Sequence, residues 1–287
     1  MNDVERTAVT TATWPAVGAE PAPALQVEAL VKSFPGGRRV IDGLDLTVAA
    51  GEAVALIGAN GTGKSTLLRM AVRLVEPDSG AIRLFGEDVC AARGRTLSRL
   101  RSRVGFVFQK HNLVTRLSAL SNVVHGVQAR RSGPRTWHQA WARRVDREEA
   151  MACLEAVGLA DRAMQTVGSL SGGQSQRVAI ARMLMQRPEL VLADEPDASL
   201  DPRAGEEIMG LLARLARDKG LGLVFVSHHM EHAVGFSDRV VGLAGGRVAL
   251  DRPAAGTDPA LLEAFFDGPQ ATERVVPLRR VAMGAAS

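Results

Sequence analysis

The sequence predicts an α/β fold in which helices flank a parallel β-sheet. Short apolar runs alternate with longer helix-like segments along most of the 287 residues. The run at 53–58 is continuously apolar, which is typical of a strand buried on both faces of a parallel sheet. A glycine-rich loop follows this run and leads into a helical pattern that starts at Lys64. Strands that alternate with helices in this way are expected to form a parallel sheet covered by helices.

The individual elements follow from apolar patterns and turn signals. Strands at 25–34 and 38–48 are separated by a Pro-Gly-Gly turn. The strand at 53–58 comes next, and the helix after it is expected to reach about Leu74. The later strands are predicted at 81–86, 104–109, 190–196, 221–228 and, as a pair, 239–250, and the later helices at 172–186, 203–217, 230–236 and 258–266.

The chain divides into a leader, one large domain and a tail. Residues 1–24 are rich in Ala, Pro and Thr and lack the pattern of a signal peptide, so we expect a disordered leader. The domain is predicted at 25–252. A mainly helical block at 112–168 looks inserted, and we place the boundaries of this helical subdomain at about 110–180. A short helix and a loosely held tail should occupy 253–287.

Composition restricts the class of protein. The formal net charge is +4, from 35 basic and 31 acidic residues, which permits anionic ligands but does not require nucleic acid. The two cysteines, Cys90 and Cys153, form no disulfide framework, so we expect a reducing compartment. The apolar runs are far shorter than the ~20 residues of a spanning helix. Any membrane association should therefore depend on a partner.

The loop after the third strand fits the phosphate-binding pattern G-x-x-x-x-G-K-[ST]. Glycines let successive backbone N–H groups surround phosphate oxygens, and the positive end of the following helix adds to this attraction. Lys64 should reach the β- and γ-phosphates of ATP, Ser65 should hold Mg²⁺, and Thr66 should bind the α-phosphate. The residues predicted to contact the nucleotide here are Gly58, Asn60, Gly61, Gly63, Lys64, Ser65 and Thr66.

Two carboxylates end the apolar strand "LVLADE" at 190–195. Asp194 is expected to organise Mg²⁺ through its water shell, as acidic strand ends do in nucleotide hydrolases. Glu195 is expected to act as the general base that polarises the attacking water.

A second glycine turn opens another helix in the stretch "LSGGQ". Ser171, Gly172, Gly173 and Gln174 follow the first phosphate loop by about 110 residues. A second phosphate-binding turn is useful if it serves the nucleotide of another copy of the protein. Two chains arranged head to tail would then close around ATP and open after hydrolysis.

Taken together, "GANGTGKST", Gln109, "LSGGQ", "LVLADEP" and "SLD" followed by "SHH" resemble the ATPase subunit of an ABC transporter, from about Leu25 to about Asp251. The resemblance implies a P-loop NTPase fold with a RecA-like parallel core, an N-terminal antiparallel β-subdomain and an inserted α-helical subdomain. It also implies that Phe34 stacks on adenine and that Gln109 contacts Mg²⁺ and the attacking water.

Two further roles are implied by position in the family motifs. Asp201 of "SLD" should touch the partner's phosphate loop. Alignment through "AVGFSDRV" makes His228, and not the adjacent His229, the histidine that bonds the γ-phosphate. Asp197 departs from the family pattern, in which a small or apolar residue is commoner.

Within the family, the stretches 100–124 and 192–202 are most similar to phosphonate importer ATPases. This implies an integral-membrane permease as a partner, a periplasmic or extracellular binding protein as an indirect one, and a peripheral location at the cytoplasmic face of the inner membrane, without nucleic acid. An importer for a phosphate-like oxyanion, an amino acid or a metal is the alternative. A soluble ABC ATPase of DNA repair or translation is disfavoured by the single cassette and the lack of a heptad arm.

The permease is expected to dock on the helical insertion. We hypothesise a docking face that includes residues near Leu113–Leu120. Trp137 and Trp141 lie four positions apart and so share one side of a helix. They either pack inside the helical subdomain or belong to this face.

Overall fold

The computed structural model describes residues 22–109, 112–131, 133 and 138–267. Two β-sheets and eight α-helices account for most of this part of the chain. The larger sheet has six strands and the smaller sheet has four. The predicted α/β class, with a parallel core, a separate antiparallel sheet and a helical insertion, is confirmed.

The six-stranded sheet carries the candidate site. Its strand order is β10-β9-β3-β8-β7-β6, in which β10 is antiparallel and the other strands run parallel. Every residue of β7 and β8 is buried, which explains why these strands are continuous apolar runs. The bounds are β3 Ala53–Ile57, β6 Val104–Val107, β7 Leu190–Asp194, β8 Gly222–Val226, β9 Arg239–Ala244 and β10 Arg247–Pro253.

The antiparallel sheet has the order β2-β1-β4-β5. Its strands are β1 Leu25–Phe34, β2 Arg38–Val48, β4 Ser79–Leu84 and β5 Glu87–Asp88. It shares a hydrophobic core with one face of the larger sheet and with helix α1. Ala24, at the end of the predicted leader, is buried, and its carbonyl accepts a hydrogen bond from Phe85 N. Ala24 therefore packs with the folded domain, although the sequence places it in the leader.

Helices cover the sheet and build the insertion. They are α1 Lys64–Ala71, α2 Gly94–Ser102, α3 Ala119–Val124, α4 Arg144–Ala156, α5 Gly172–Met185, α6 Pro202–Lys219, α7 Met230–Gly235 and α8 Pro259–Asp267. α5 packs against both α3 and α4, and these helices share a second core with α6 and with the other face of the large sheet. The described residues contain no helix that has both the length and the apolar character needed to cross a membrane.

The helical insertion is less regular than its composition predicts. Within its described residues, a short 3-10 segment at His125–Ala129 follows α3, and two more, at Ala160–Arg162 and Val167–Ser169, lie between α4 and α5. Gly126 lies where a side chain would collide with the carbonyl of Arg182 in α5. The short 3-10 segment at His125–Ala129 thus lies where the chain crosses α5 at very close range.

Several predicted elements end earlier in the structure. β7 stops at Asp194 rather than at 196, because Glu195 adopts a left-handed backbone conformation with φ of 51°. α1 stops at Ala71, and Arg73 is likewise left-handed, with φ of 54°. Such conformations are rare for residues other than glycine and end regular structure.

Candidate functional site

The glycine loop joins β3 to α1 at the carboxyl edge of the parallel sheet. Gly58 approaches β9 so closely that a Cβ atom there would lie 2.5 Å from the carbonyl oxygen of Leu243. Gly63 precedes α1 with φ of 103°, and its Cβ would lie 3.0 Å from the carbonyl oxygen of Val40. Only glycine fits both positions without displacing backbone. The first N–H groups of α1 follow this loop directly, and such groups have no partner within their helix and can bind an anion.

Lys64 supplies a buried cation at the centre of this loop. Its Nζ donates hydrogen bonds to the carbonyl oxygens of Gly58, at 2.7 Å, and Ala59, at 3.1 Å. Burial lowers the pKa of Lys64, while the negative charges of Glu195 and Asp194 act in the opposite direction. A cation held in a poorly solvated loop attracts phosphate more strongly than one in water.

Ser65 and Asp194 bring the loop and β7 together. The Ser65 hydroxyl donates a 2.6 Å hydrogen bond to Asp194 Oδ1, and Asp194 is almost fully buried. Arg69 of α1 pairs with the other carboxylate oxygen at 3.3 Å. A hydroxyl and a carboxylate are oxygen donors of the kind that Mg²⁺ prefers. The chemistry of this pair therefore fits the magnesium ion that the sequence implies.

Glu195 and His228 meet beside the same edge of the sheet. His228 Nε2 lies 2.9 Å from Glu195 Oε1, and both side chains are partly exposed. The parallel register places Asp194 opposite Val226, so the residues that follow β7 and β8 emerge side by side. The left-handed backbone of Glu195 turns the chain sharply at this point.

A cavity of about 330 Å³ lies over the loop. Phe34 forms part of its wall and is 39% exposed, so an aromatic face is open to solvent there. Val40 of β2 also lines it, although sequence reasoning missed this residue, because nothing in a strand pattern shows which position faces a distant loop. The lining residues are Phe34, Val40, Asn60, Gly61, Gly63, Lys64, Ser65, Thr66 and Glu195.

The sequence predicts that Gln109 contacts Mg²⁺ and the attacking water. It follows β6 by two residues, next to β7, and its side chain is exposed. It is not among the residues that line the cavity. The structure therefore brings together the loop, Asp194, Glu195 and His228, and the role of Gln109 stays a prediction.

The "LSGGQ" turn lines a different cavity, of about 650 Å³. Ser171 begins α5 with a capping box, in which its Oγ accepts from Gln174 N and Gln174 Oε1 accepts from Ser171 N. Gly172 and Gly173 line the same cavity, as does Asp201, which begins α6 by accepting a hydrogen bond from Ala204 N. Among the described residues, the two cavities share no lining residue.

His229 points elsewhere. Its ring packs against that of His232 with centroids 5.0 Å apart, and His232 Nδ1 lies 2.9 Å from Asp197 Oδ2. Sequence reasoning marked Asp197 only as unusual and did not find its partner, 35 positions away.

The predicted docking face is partly exposed. Trp141 is 67% exposed, which is incompatible with a place inside the helical subdomain, and Trp137 lies outside the described residues. Val114 is 43% exposed, whereas Leu120 is buried.

Comparison with known proteins agrees with this geometry. Residues 41–198 match the family model described as ABC transporter. The chain is 44% identical to the phosphonates import ATP-binding protein PhnC of Bordetella parapertussis, over 86% of this chain and 98% of that protein. It is 46% identical to the protein of the same name from Nocardia farcinica, over 86% and 92% of the two chains. The fold matches a dimeric post-hydrolysis state of the ATP-binding cassette MJ0796 bound to ADP and Pi, with a TM-score of 0.71, 31% identity, and coverage of 81% of this chain and 100% of that one.

Proposed function

The chain belongs to the ABC transporter family, and from this we propose that it binds and hydrolyses ATP to energise the uptake of phosphonates through a membrane permease. The observation that carries the proposal is the meeting of four groups at one edge of the sheet. Lys64, Ser65, Asp194 and the Glu195–His228 pair surround or adjoin a single cavity that holds an exposed aromatic ring. Residues 25–252 would form the ATPase domain, with the helical subdomain at about 110–180.

Binding would begin at the phosphate loop. The backbone N–H groups after Gly58 and the start of α1 would receive the phosphate oxygens, and Thr66 would add a hydroxyl. Lys64 would exchange its bonds to the loop carbonyls for bonds to the β- and γ-phosphates. Phe34 would cover one face of the adenine, since its exposed ring lies on the wall of the same cavity.

Ser65 and Asp194 would hold Mg²⁺ together with Gln109. The ion would supply positive charge that offsets the charge developing on the phosphates. Asp194 is already hydrogen-bonded to Ser65, so both oxygens are oriented towards each other before any ligand arrives.

Hydrolysis would use Glu195 as the base and His228 as a phosphate ligand. One carboxylate oxygen of Glu195 is bonded to His228, which leaves the other free to accept a proton from water. The oxygen of that water would bond to the γ-phosphorus while the bond to the β–γ bridging oxygen breaks. ADP and inorganic phosphate would leave, and His228 would bond a γ-phosphate oxygen as its charge redistributes.

A second copy of the chain would complete the site. The cavity beside Ser171 is lined by Gly172, Gly173 and Asp201 and lies apart from the phosphate loop of the same chain. In a head-to-tail dimer this cavity would close over the partner's γ-phosphate. ATP would then hold the two copies together until hydrolysis.

The permease would bind the helical subdomain, and the binding protein would act on the permease from outside. The protein would thus be peripheral, at the cytoplasmic face of the inner membrane. Arg182 of α5 donates a 2.7 Å hydrogen bond to the carbonyl of Asn112, three residues after Gln109. This contact would link α5, which begins at the "LSGGQ" turn, to the segment that follows Gln109.

Uptake of a defined phosphonate tests the cargo. The gene would be expressed with its neighbouring permease and binding-protein genes in cells that lack phosphonate uptake. We expect uptake of labelled methylphosphonate with the native chain, none with Glu195→Gln, and normal uptake with the exposed control Glu263→Gln. Uptake of phosphate, an amino acid or a metal ion in place of methylphosphonate would contradict the proposed cargo. It would leave the proposed ATPase activity unaffected.

A further inference from the structure

Two histidine–carboxylate hydrogen bonds join the same two segments of the chain. The segment after β7 contributes Glu195 and Asp197, and the segment after β8 contributes His228 and His232. Glu195 bonds His228 at 2.9 Å, and Asp197 bonds His232 at 2.9 Å. The first pair is 21% and 39% exposed, whereas the second pair is 4% and 14% exposed. We call Asp197–His232 the inner pair, because it is better shielded from water, and Glu195–His228 the outer pair.

The inner pair is enclosed by neighbouring elements. Behind Asp197, a Cβ atom on Gly205 of α6 would lie 3.2 Å from Asp197 Cβ, so the side chain has little room to withdraw. The carbonyl of Asp197 also accepts a hydrogen bond from Leu200 N, which shapes the turn after β7. On the other side, the His232 ring lies between His229 and Phe236, with centroids 5.0 and 5.7 Å away.

We propose that the Asp197–His232 hydrogen bond is a positioning pair that sets the separation of Glu195 and His228 for ATP hydrolysis. The inference rests on the proposed function of that outer pair. Asp197 lies two residues after Glu195, and His232 lies in the first turn of α7, four residues after His228. A fixed distance between the inner pair therefore restrains the distance between the outer pair.

The difference in burial explains why the inner pair would do the restraining. An exposed histidine–carboxylate contact is weakened by solvent and exchanges readily with water. A buried carboxylate that loses its donor is left unsatisfied, so the inner bond resists opening. The outer pair can then release its mutual bond to engage water and phosphate while the backbone segments stay in register.

Replacement of either member of the inner pair by alanine should slow ATP hydrolysis without weakening ATP binding. We expect Asp197→Ala and His232→Ala to lower kcat for ATP hydrolysis by on the order of 10- to 100-fold, because small misplacements of catalytic groups have effects of this size. KM for ATP should change by less than about twofold, since Lys64 and the loop are untouched. A rise in KM for ATP in both variants, with kcat unchanged, would overturn the proposal.

Conservative variants distinguish positioning from general packing. Asp197→Asn keeps an oxygen that can accept from His232, and His232→Asn keeps an N–H near the position of Nδ1. Both should recover kcat to within about threefold of the native value, on the scale of one neutral hydrogen bond. Asn variants as slow as the Ala variants would count against the hydrogen bond. The exposed control Glu231→Gln, next to His232, should match the native chain.

The decisive comparison uses a chain in which the outer pair is already absent. If Asp197 acts through that pair, adding Asp197→Ala to His228→Ala should lower the residual kcat by less than about twofold. A full multiplicative loss would mean that Asp197 acts independently, and the proposal would fail. A native chain without ATPase activity would instead refute the proposed function, so the two failures are distinguishable.

Discussion

At the scale of single residues, the site depends on one buried cation. The Lys64 ammonium is bonded to loop carbonyls near Asp194, which ends β7, and Glu195, which follows it, and burial lowers the pKa of Lys64. Its charge is therefore held where phosphate oxygens would replace the carbonyls. Loss of that charge removes electrostatic stabilisation in a poorly solvated place.

Lys64→Ala should lower ATP hydrolysis by at least about 100-fold, the effect of deleting a preorganised electrostatic contact to a transition state. The measurement is phosphate release by the purified chain. Lys219→Ala, at the exposed end of α6, is the matched control and should retain native turnover. Hydrolysis by Lys64→Ala at close to the native rate would contradict the assignment of residues 58–66 as a phosphate-binding loop.

Two adjacent histidines have different surroundings. His228 lies against Glu195, whereas the His229 ring packs on His232. His228→Ala should reduce turnover by on the order of 10²-fold, and His229→Ala should reduce it far less, because His229 touches neither Glu195 nor the first cavity in the described structure. Steady-state ATPase assays of both variants decide the order. A larger loss in His229→Ala would shift the assignment by one residue.

At the scale of elements, the helical insertion is held by a half-buried carboxylate on α4, that of Glu149. Glu149 accepts hydrogen bonds from Arg187, just after α5, and from Arg130, at 2.7 and 3.0 Å. Burial alone would raise the pKa of Glu149, but these two arginines outweigh it and hold the pKa below its usual value. The ionised form therefore stabilises the packing of α4 on α5.

Glu149→Gln should destabilise the folded chain by on the order of 1 kcal/mol at pH 7. Because the folded pKa is lowered, this contribution is present above the unfolded pKa and disappears as the pH falls through the folded pKa. The stability difference between the two chains should thus shrink as the pH falls from about 5 towards about 3. Urea unfolding at several pH values measures it, and a difference that grows in acid would contradict the assignment.

At the scale of the whole molecule, the separation of the two cavities supports the proposed dimer. Ser171 and Asp201 line one cavity, and Lys64 and Glu195 line the other. Glu195→Gln keeps the shape of the base and removes its proton-accepting charge, so ATP should bind without turning over. Size-exclusion chromatography should show a dimer with Mg-ATP and a monomer with ADP. A monomer under both conditions would count against the head-to-tail arrangement.

Coupling to a permease also belongs to this scale. The backbone of Val114 is fixed by the Asn122 side chain, at 2.8 and 3.0 Å, while its own side chain is exposed. Val114→Arg should therefore abolish phosphonate uptake and leave the ATPase activity of the isolated chain within about twofold, as expected for a surface substitution. Substitution of Met164, which is also exposed, provides a control at another surface position. Full uptake by Val114→Arg would exclude this position from the docking face, and loss of both activities would indicate damage to the fold.

Features that are contiguous along the chain could be predicted from its residues alone. A buried strand, a glycine loop and a helix occupy 53–71 without interruption, so their residue types predict one local structure and its phosphate chemistry. The apolar run that ends at Asp194 and the turn that opens α5 at Ser171 are equally local. Each of these patterns has its physical cause within about twenty residues, and the α/β class follows from their alternation.

Contacts between residues that are far apart in sequence could not be predicted in this way, because they depend on the packing of whole elements. Asp197 and His232 lie 35 positions apart, and their contact depends on the register of β7 against β8 and on the room left beside Gly205. The entry of Val40 into the first cavity and the short 3-10 segment at Gly126 arise in the same way, from close approach between elements that are distant in sequence. Residue type and periodicity carry no information about such distances, because packing of the complete chain sets them.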